Sequence, residues 1–481
     1  MLTSILLGTG VGIYTVTICY WLSLIAYYFH FKSNIIWMVF IAVSILPTIL
    51  IIFRCFKKVF SFLLKRKEET LITLILLSPQ LKSITIGSLE VLDILISIWL
   101  ILWIIEVMFK EKKIDLTSCE KYHIIILFIF TIMLVSSING SFSSFIGFFR
   151  MSKNGLYYFI LTSLILTNKE KFLIKTIKIL IITLTISSFI AIIQEVLYLW
   201  ANIIFVGNIS QKTLKLMFEH DTLFGDLLRS PAFFGTPSYL ANTLSFTIPL
   251  FFIYFIFSPP VNFKNRYLFV MLTSMFVTLF LTYSKGAWIG TTIGIIVGIA
   301  ILKRKYFFHL LAIGLIGILI CWYLGIVDSL IQAMSYEICL GGDLSDRIFL
   351  ARKTLEKIPS HLLIGRGFDM GAKYTASVMN WPVHNAFIRA FAETGFLGGI
   401  AFTGLFCMIF MDLSILLYTV PQRYKILVIA FISGLIGYLI QIQISPLFMS
   451  AQFLIIVCGI TISSIYVIKE KIILKSVNNY V

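Results

Sequence analysis

Apolar runs about as long as a bilayer-crossing helix, separated by short polar stretches, recur along the whole chain. A bilayer core of about 30 Å needs about 20 mainly apolar residues in helical form. Open strands cannot satisfy their backbone groups in lipid. Runs of this kind lie near 5–29, 35–53, 91–109, 123–139, 176–199, 238–257, 267–283, 286–302, 306–326, 396–418, 426–443 and 448–468, which predicts twelve spans. Two weaker runs, 70–88 with Lys82 inside it and the short 155–167, bring the expectation to about 12–14 helices. The expected fold is an all-α polytopic membrane protein.

Basic residues orient these spans. Cytoplasmic loops collect Lys and Arg. With fourteen spans and the N-terminus inside, the loops 54–69 and 110–122 and the lysines Lys169, Lys171, Lys175 and Lys178 fall on one side. Lys264 and Arg266, Lys303 to Lys305, Arg423 and Lys425, and the tail from Lys469 join them. More than half of the 39 Lys and Arg residues are then cytoplasmic. Arg150 and Lys153 are the short-loop exception, on the outer side. The organisation expected is transmembrane helices over 1–326 with an outer segment at 200–237, a large outer loop at 327–395, three last spans over 396–468, and a cytoplasmic tail at 469–481. The first residues, MLTSILLGTG, lack a basic leader and a clear cleavage site, so they read as the start of a retained helix.

Composition agrees. Of 481 residues, 59% are hydrophobic and 13% charged, with a mean hydropathy of +0.98. Soluble domains average about 45–50% apolar and about 25% charged. A soluble enzyme and a disordered chain are excluded. The net charge of +17 would suit nucleic acid, but loop topology accounts for it, so no nucleic-acid partner is expected. Seven cysteines include no CxxC pair and suggest neither a disulfide framework nor a zinc site.

Chemistry is expected in the outer loop, the one long stretch of mixed charge. Asp343 can cap a helix with Asp346 at its third position. The run DLSDRIFLARKTLEKIP then sets Leu344, Ile348, Ala351, Leu355 and Ile358 on one face, with Arg347, Arg352, Lys353 and Glu356 off it, and Pro359 stops it. GRGFDMG (365–371) is a glycine-rich turn. A second short helix, NAFIRAFAETG, starts at Asn385 as its cap and ends before Gly395. Both are amphipathic elements for the membrane surface or a cavity mouth. His384 directly precedes the Asn385 cap. The partial positive charge of a helix N-terminus disfavours imidazolium, leaving a neutral imidazole fit to act as a general base; the bland alternative is a histidine that hydrogen-bonds its loop. Arg229, Lys285, Arg347, Arg352, Arg366 and Arg389 are outer cations, and arginine's fork suits phosphate oxygens. Singly, each is explained by snorkelling. No Walker A sequence is present, and no outer acidic–His cluster offers a metal site.

Three blocks resemble the O-antigen ligase superfamily, which includes lipid-A-core O-antigen ligases and Wzy-type repeat-unit polymerases. RSPAFFGTPSYLAN (229–242) is similar to the family's entry into a span. TYSKGAWIG (282–290) is similar to its T-x-S-R-G motif. The stretch from Asp346 to Gly398, with GRGFD, HNAF and ETGFLGG, is similar to its outer-loop pattern. Lys285 stands where the family commonly has arginine, which keeps the charge and loses the fork.

The resemblance implies a metal-independent, cofactor-free, inverting glycosyltransferase with a GT-C-like membrane fold in a bacterial cytoplasmic (inner) membrane. The implied donor is a glycan on a polyprenyl (undecaprenyl) diphosphate, and the acceptor is a glycan or another lipid-linked unit. His384 would match the catalytic histidine, with Arg229 and Arg347, then Lys285 and Arg352, on the diphosphate. Asn385, Glu393 and Arg366 would support the loop. A flippase and a chain-length regulator are the implied protein partners. Polymerase and ligase share these motifs and both stay open. A transporter or flippase of lipid-linked sugars is the competing class, and predicts charged residues lining a path across the membrane.

Overall fold

The structure is a computed structural model. It describes residues 66–80, 85–86, 89–109, 118–201, 218–222, 225–228, 231–232, 234, 236–257, 265–303, 343–368, 370, 383–443 and 452–478. The expected spans 5–29, 35–53 and 306–326 lie outside these residues. The chain divides into two compact units, Met1–Thr70 and Leu71–Val481. The described part of the first is the start of one helix, where Arg66 pairs with Glu69 at 3.5 Å.

The fold is all-α, with two small hairpins added. In order come α1 (Lys67–Leu77), β1 (Thr85–Ile86), β2 (Leu89–Glu90), α2 (Val91–Phe109), α3 (Glu120–Gly140) and α4 (Phe142–Ala201). Next are β3 (Phe218–Thr222), β4 (Gly225–Leu228), α5 (Pro237–Phe257), α6 (Asn265–Leu281), α7 (Lys285–Leu302) and α8 (Asp343–Lys357). A 3-10 turn (Ile358–His361), α9 (Ala386–Thr419), α10 (Gln422–Ile442) and α11 (Gln452–Asn478) complete it. Both strand pairs are antiparallel. Eight helices among the described residues are long and apolar enough to cross a membrane.

Two apolar runs behave differently from expectation. The run 70–88 is not one span: α1 has 11 residues and stops before Pro79, so it reaches only about 16 Å at 1.5 Å per residue. The chain then turns inside the protein, and irregular backbone at membrane depth survives only when buried in protein. Gln80, fully buried, donates to Thr183 Oγ1 at 2.8 Å and accepts from Ser187 Oγ at 2.9 Å. Second, the short run 155–167 belongs to the 60-residue α4. Such a helix would be about 90 Å long, three times the bilayer core. It is broken at Lys169 (φ 58°, ψ −145°) into two limbs, 142–168 and 170–201.

Ion pairs gather one set of helix ends. Lys121 at the start of α3 and Lys469 late in α11 both contact Asp412 near the end of α9, at 2.7 and 3.1 Å. Tyr122 donates to the same carboxylate at 2.8 Å. Lys169 pairs with Glu470, and Lys471 with Glu170 at 3.6 Å. Lys121, Lys169 and Lys469, which charge counting puts on one side, thus share one end of the bundle. Lys153 instead pairs with Asp93, at the start of α2, at 2.5 Å.

Glycines bring α5, α7 and α10 into backbone contact. Along α7, Gly286, Gly290, Gly294 and Gly298 recur every four residues, one ridge of the helix. A Cβ on Gly290 would lie 2.4 Å from the Gly437 carbonyl oxygen, and one on Gly437 would lie 2.4 Å from that of Ser245. No side chain fits between these helices, so their relative register is rigid. That rigidity carries to the ends of α7 and α10 beside Lys285 and Asn385.

Candidate active site

The site is built around a break in α9. Gly395 adopts φ 70°, ψ −170°, so the short helix capped by Asn385 ends before it, as expected, and the second limb of α9 follows across the break as a span. A break interrupts the i to i−4 ladder and frees backbone groups that must find other partners. The glycine-rich turn supplies them. Arg366 N–H donates to Ala392 O at 3.2 Å, Gly367 N–H to Glu393 O at 3.1 Å, and Phe396 N–H to Leu362 O at 2.7 Å. Ser136 of α3 donates its hydroxyl to Glu393 O as well. Gly365 and Gly367, both at positive φ, allow the turn to lie directly on the kink.

Asn385 caps α9 as expected. Its Oδ1 accepts from the N–H groups of Phe387 and Ile388, each at 3.0 Å. Its Nδ2 donates to Gln443 Oε1, just past α10, at 2.6 Å. His384 is half-buried immediately before this cap. Glu393 is fully buried and binds Arg389, also buried, at 2.6 Å. Arg389 therefore belongs to a structural ion pair. Glu393 orients the loop mainly through its carbonyl, which holds both Gly367 and Ser136.

Lys285 is exposed at the first position of α7, after a turn in which Tyr283 has φ 50°. The preceding residue, Ser284, accepts at its hydroxyl from Gln441 Nε2 of α10 at 3.1 Å. The Lys285 turn and the His384 loop are thus both bonded to one helix end, through glutamines two residues apart. Nothing in the sequence reading singled out Gln441 or Gln443. The polar QIQ step closing an apolar run was the available signal.

The other cations separate. Arg352 is 79% exposed and contacts Glu356 at 3.2 Å. Lys353, hydrogen-bonded to Glu356 at 2.9 Å, and then Arg352 hold that carboxyl below its ordinary range. The face of α8 that meets the protein carries Leu350 and Thr354. Ile348 and Leu355, on the apolar stripe expected for a membrane surface or a cavity mouth, are 60% and 51% exposed. The apolar stripe was real but points away from the protein, as suits an element beside lipid. Arg347 lies in the same helix three residues before Leu350. Its side chain and all of Arg229 lie outside the described residues. Arg366 is half-buried in the turn held by the kink. Asn242, which ends the first matching block, is buried in α5, with no hydrogen-bond partner for either amide atom among the described residues.

This is a multi-pass helical membrane protein in which one helix end is bonded both to the turn before Lys285 and to the capped helix start after His384. Residues 269–403 match the family model described as O-antigen ligase, which supports the O-antigen ligase superfamily and an enzyme of ligase or polymerase type. The matched segment holds Lys285, Arg347, Arg352, Arg366, His384, Asn385 and Glu393. Arg229, Gln441 and Gln443 lie outside it. No curated protein matches the chain.

Proposed function

We propose that the protein is an inverting membrane glycosyltransferase that takes a glycan from a polyprenyl diphosphate at the outer face of the cytoplasmic membrane. It transfers that glycan to a sugar hydroxyl on a second glycan or lipid-linked unit. His384 takes the proton from the acceptor hydroxyl, whose oxygen attacks the anomeric carbon of the donor. The bond from that carbon to the diphosphate breaks, and the lipid diphosphate leaves with the electron pair. Fixed cations placed where negative charge develops lower the barrier. Arg229 and Arg347 take that part first, Lys285 second, and Arg352 last because its side chain points outward and is engaged by Glu356. Arg366, Asn385 and Glu393 hold the loop. The lysine-rich end of the bundle is cytoplasmic in this reading.

One observation carries the reading. His384 sits directly before a fully satisfied helix cap, inside the matched segment and on the same helix end that holds the Lys285 turn. A donor of concentrated negative charge and a neutral base suit that arrangement. The test replaces His384 with Ala in the cell that makes the glycan and analyses the lipid-linked pool. Loss of polymer with single lipid-linked units accumulating identifies a polymerase. Accumulation of long lipid-linked chains identifies a ligase. Unchanged pools with stable protein refute a catalytic His384.

A further inference from the structure

The end of α10 works as a ruler between two loops that are far apart in sequence. Its body is fixed by backbone contact with α5 and α7 at Gly434 and Gly437. From its last turn Gln441, buried, donates to Ser284. Two residues on, the C-cap residue Gln443 accepts from Asn385. Ser284 precedes Lys285, and Asn385 follows His384. Asn385 divides its amide between two tasks: the oxygen caps α9, and the nitrogen binds Gln443. Both ends of the side chain are therefore held, which fixes the backbone that presents His384.

We propose that Gln441 and Gln443 are positioning residues that set the His384 loop and the Lys285 turn at a fixed separation. The proposal rests on the reading of His384 as base and Lys285 as a diphosphate contact. Rigid elements place catalytic groups more accurately than loops do, and a misplacement of about 1 Å can cost about 100-fold in rate. Gln443 acts as an acceptor, so Glu at this position preserves the bond and Leu removes it. Ser at position 385 still caps the helix but is too short to reach Gln443.

The experiment measures polymer yield in cells at matched levels of full-length protein. It compares Gln443→Leu, Gln443→Glu, Asn385→Ser, the double variant Asn385→Ser/Gln443→Leu, and His384→Ala. Gln443→Leu and Asn385→Ser are expected to lower the yield about tenfold each. The double variant should be no worse than either single one, because both remove the same bond. Gln443→Glu should recover most of the loss, which a role in packing alone would not produce. Wild-type yield in Gln443→Leu, or equal loss in the Leu and Glu variants, overturns the proposal. If Gln443→Leu fails to accumulate, Asn385→Ser carries the test, and wild-type yield in that variant overturns the proposal. His384→Ala separates the two levels: if it is inactive while Gln443→Leu is fully active, positioning fails and the base reading stands. If His384→Ala is itself fully active, the base reading fails.

Discussion

Gly365 and Gly395 meet main chain to main chain: a Cβ on Gly365 would lie 2.4 Å from the Gly395 nitrogen. This contact lets the 362–368 turn replace the hydrogen bonds that the α9 break gives up. Gly395→Ala puts an L side chain at φ 70° and a Cβ 2.4 Å from the Leu363 carbonyl. This positive-φ extended backbone, open essentially only to glycine, alone costs a side chain about 1–3 kcal/mol, and the collision adds to it. Thermal unfolding of the purified protein should show a clear loss of stability, with polymer yield falling alongside. Gly404→Ala is the control, since among the described residues nothing beyond its own stretch of helix lies within 4 Å of its added Cβ, and it should behave as wild type.

The buried pair of Arg389 and Glu393 makes a second prediction. Removing one partner of a buried pair costs about 3–5 kcal/mol, because the remaining charge loses its counter-charge. Glu393→Ala should therefore destabilise the protein strongly. Replacing both, as Arg389→Met with Glu393→Leu, should recover part of that stability in the same unfolding measurement. If the double variant is as unstable as Glu393→Ala, the charge is not the cause.

Arginines of α8 should differ from each other. Arg352→Ala removes an exposed pair worth about 0–1 kcal/mol and the last-ranked of the charge-stabilising cations, so polymer yield should fall far less than in Arg347→Ala. Arg347→Ala should lower it about 100-fold, as loss of a charge-stabilising donor does. Glu356, the shared partner of Arg352 and Lys353, has its carboxyl lowered by Lys353 first. Its contribution to α8 is therefore present above the ordinary carboxylate range and is lost as pH falls through the lowered value. Yield measured in the two variants checks the ranking directly, and equal losses would contradict it.

Hydropathy made most of the spans legible, because lipid demands about twenty apolar residues whatever else a helix does. The Asn385 cap and the 365–367 turn were legible for local reasons, an amide at a helix start and glycines where φ is positive. The fate of 70–88 was not, since its apolar length gives no sign that Thr183 and Ser187 satisfy a buried Gln80 amide just past the helix end. The apolar stripe of α8 was legible from its spacing, but the face that meets the protein was not, because Leu350 and Thr354 are set by packing and not by that stripe. Gln441 and Gln443 were invisible because their partners, Ser284 and Asn385, are 157 and 58 residues away.

The central claim is that His384 is the base of a glycosyl transfer. Its most direct test is the polymer yield of His384→Ala relative to wild type, measured in cells with equal amounts of folded protein in the membrane and with the lipid-linked donor pool quantified alongside. The account predicts a yield lower by about 100-fold or more, the contribution of general base catalysis, with lipid-linked donor accumulating. A yield and a donor pool both at wild-type level would contradict it.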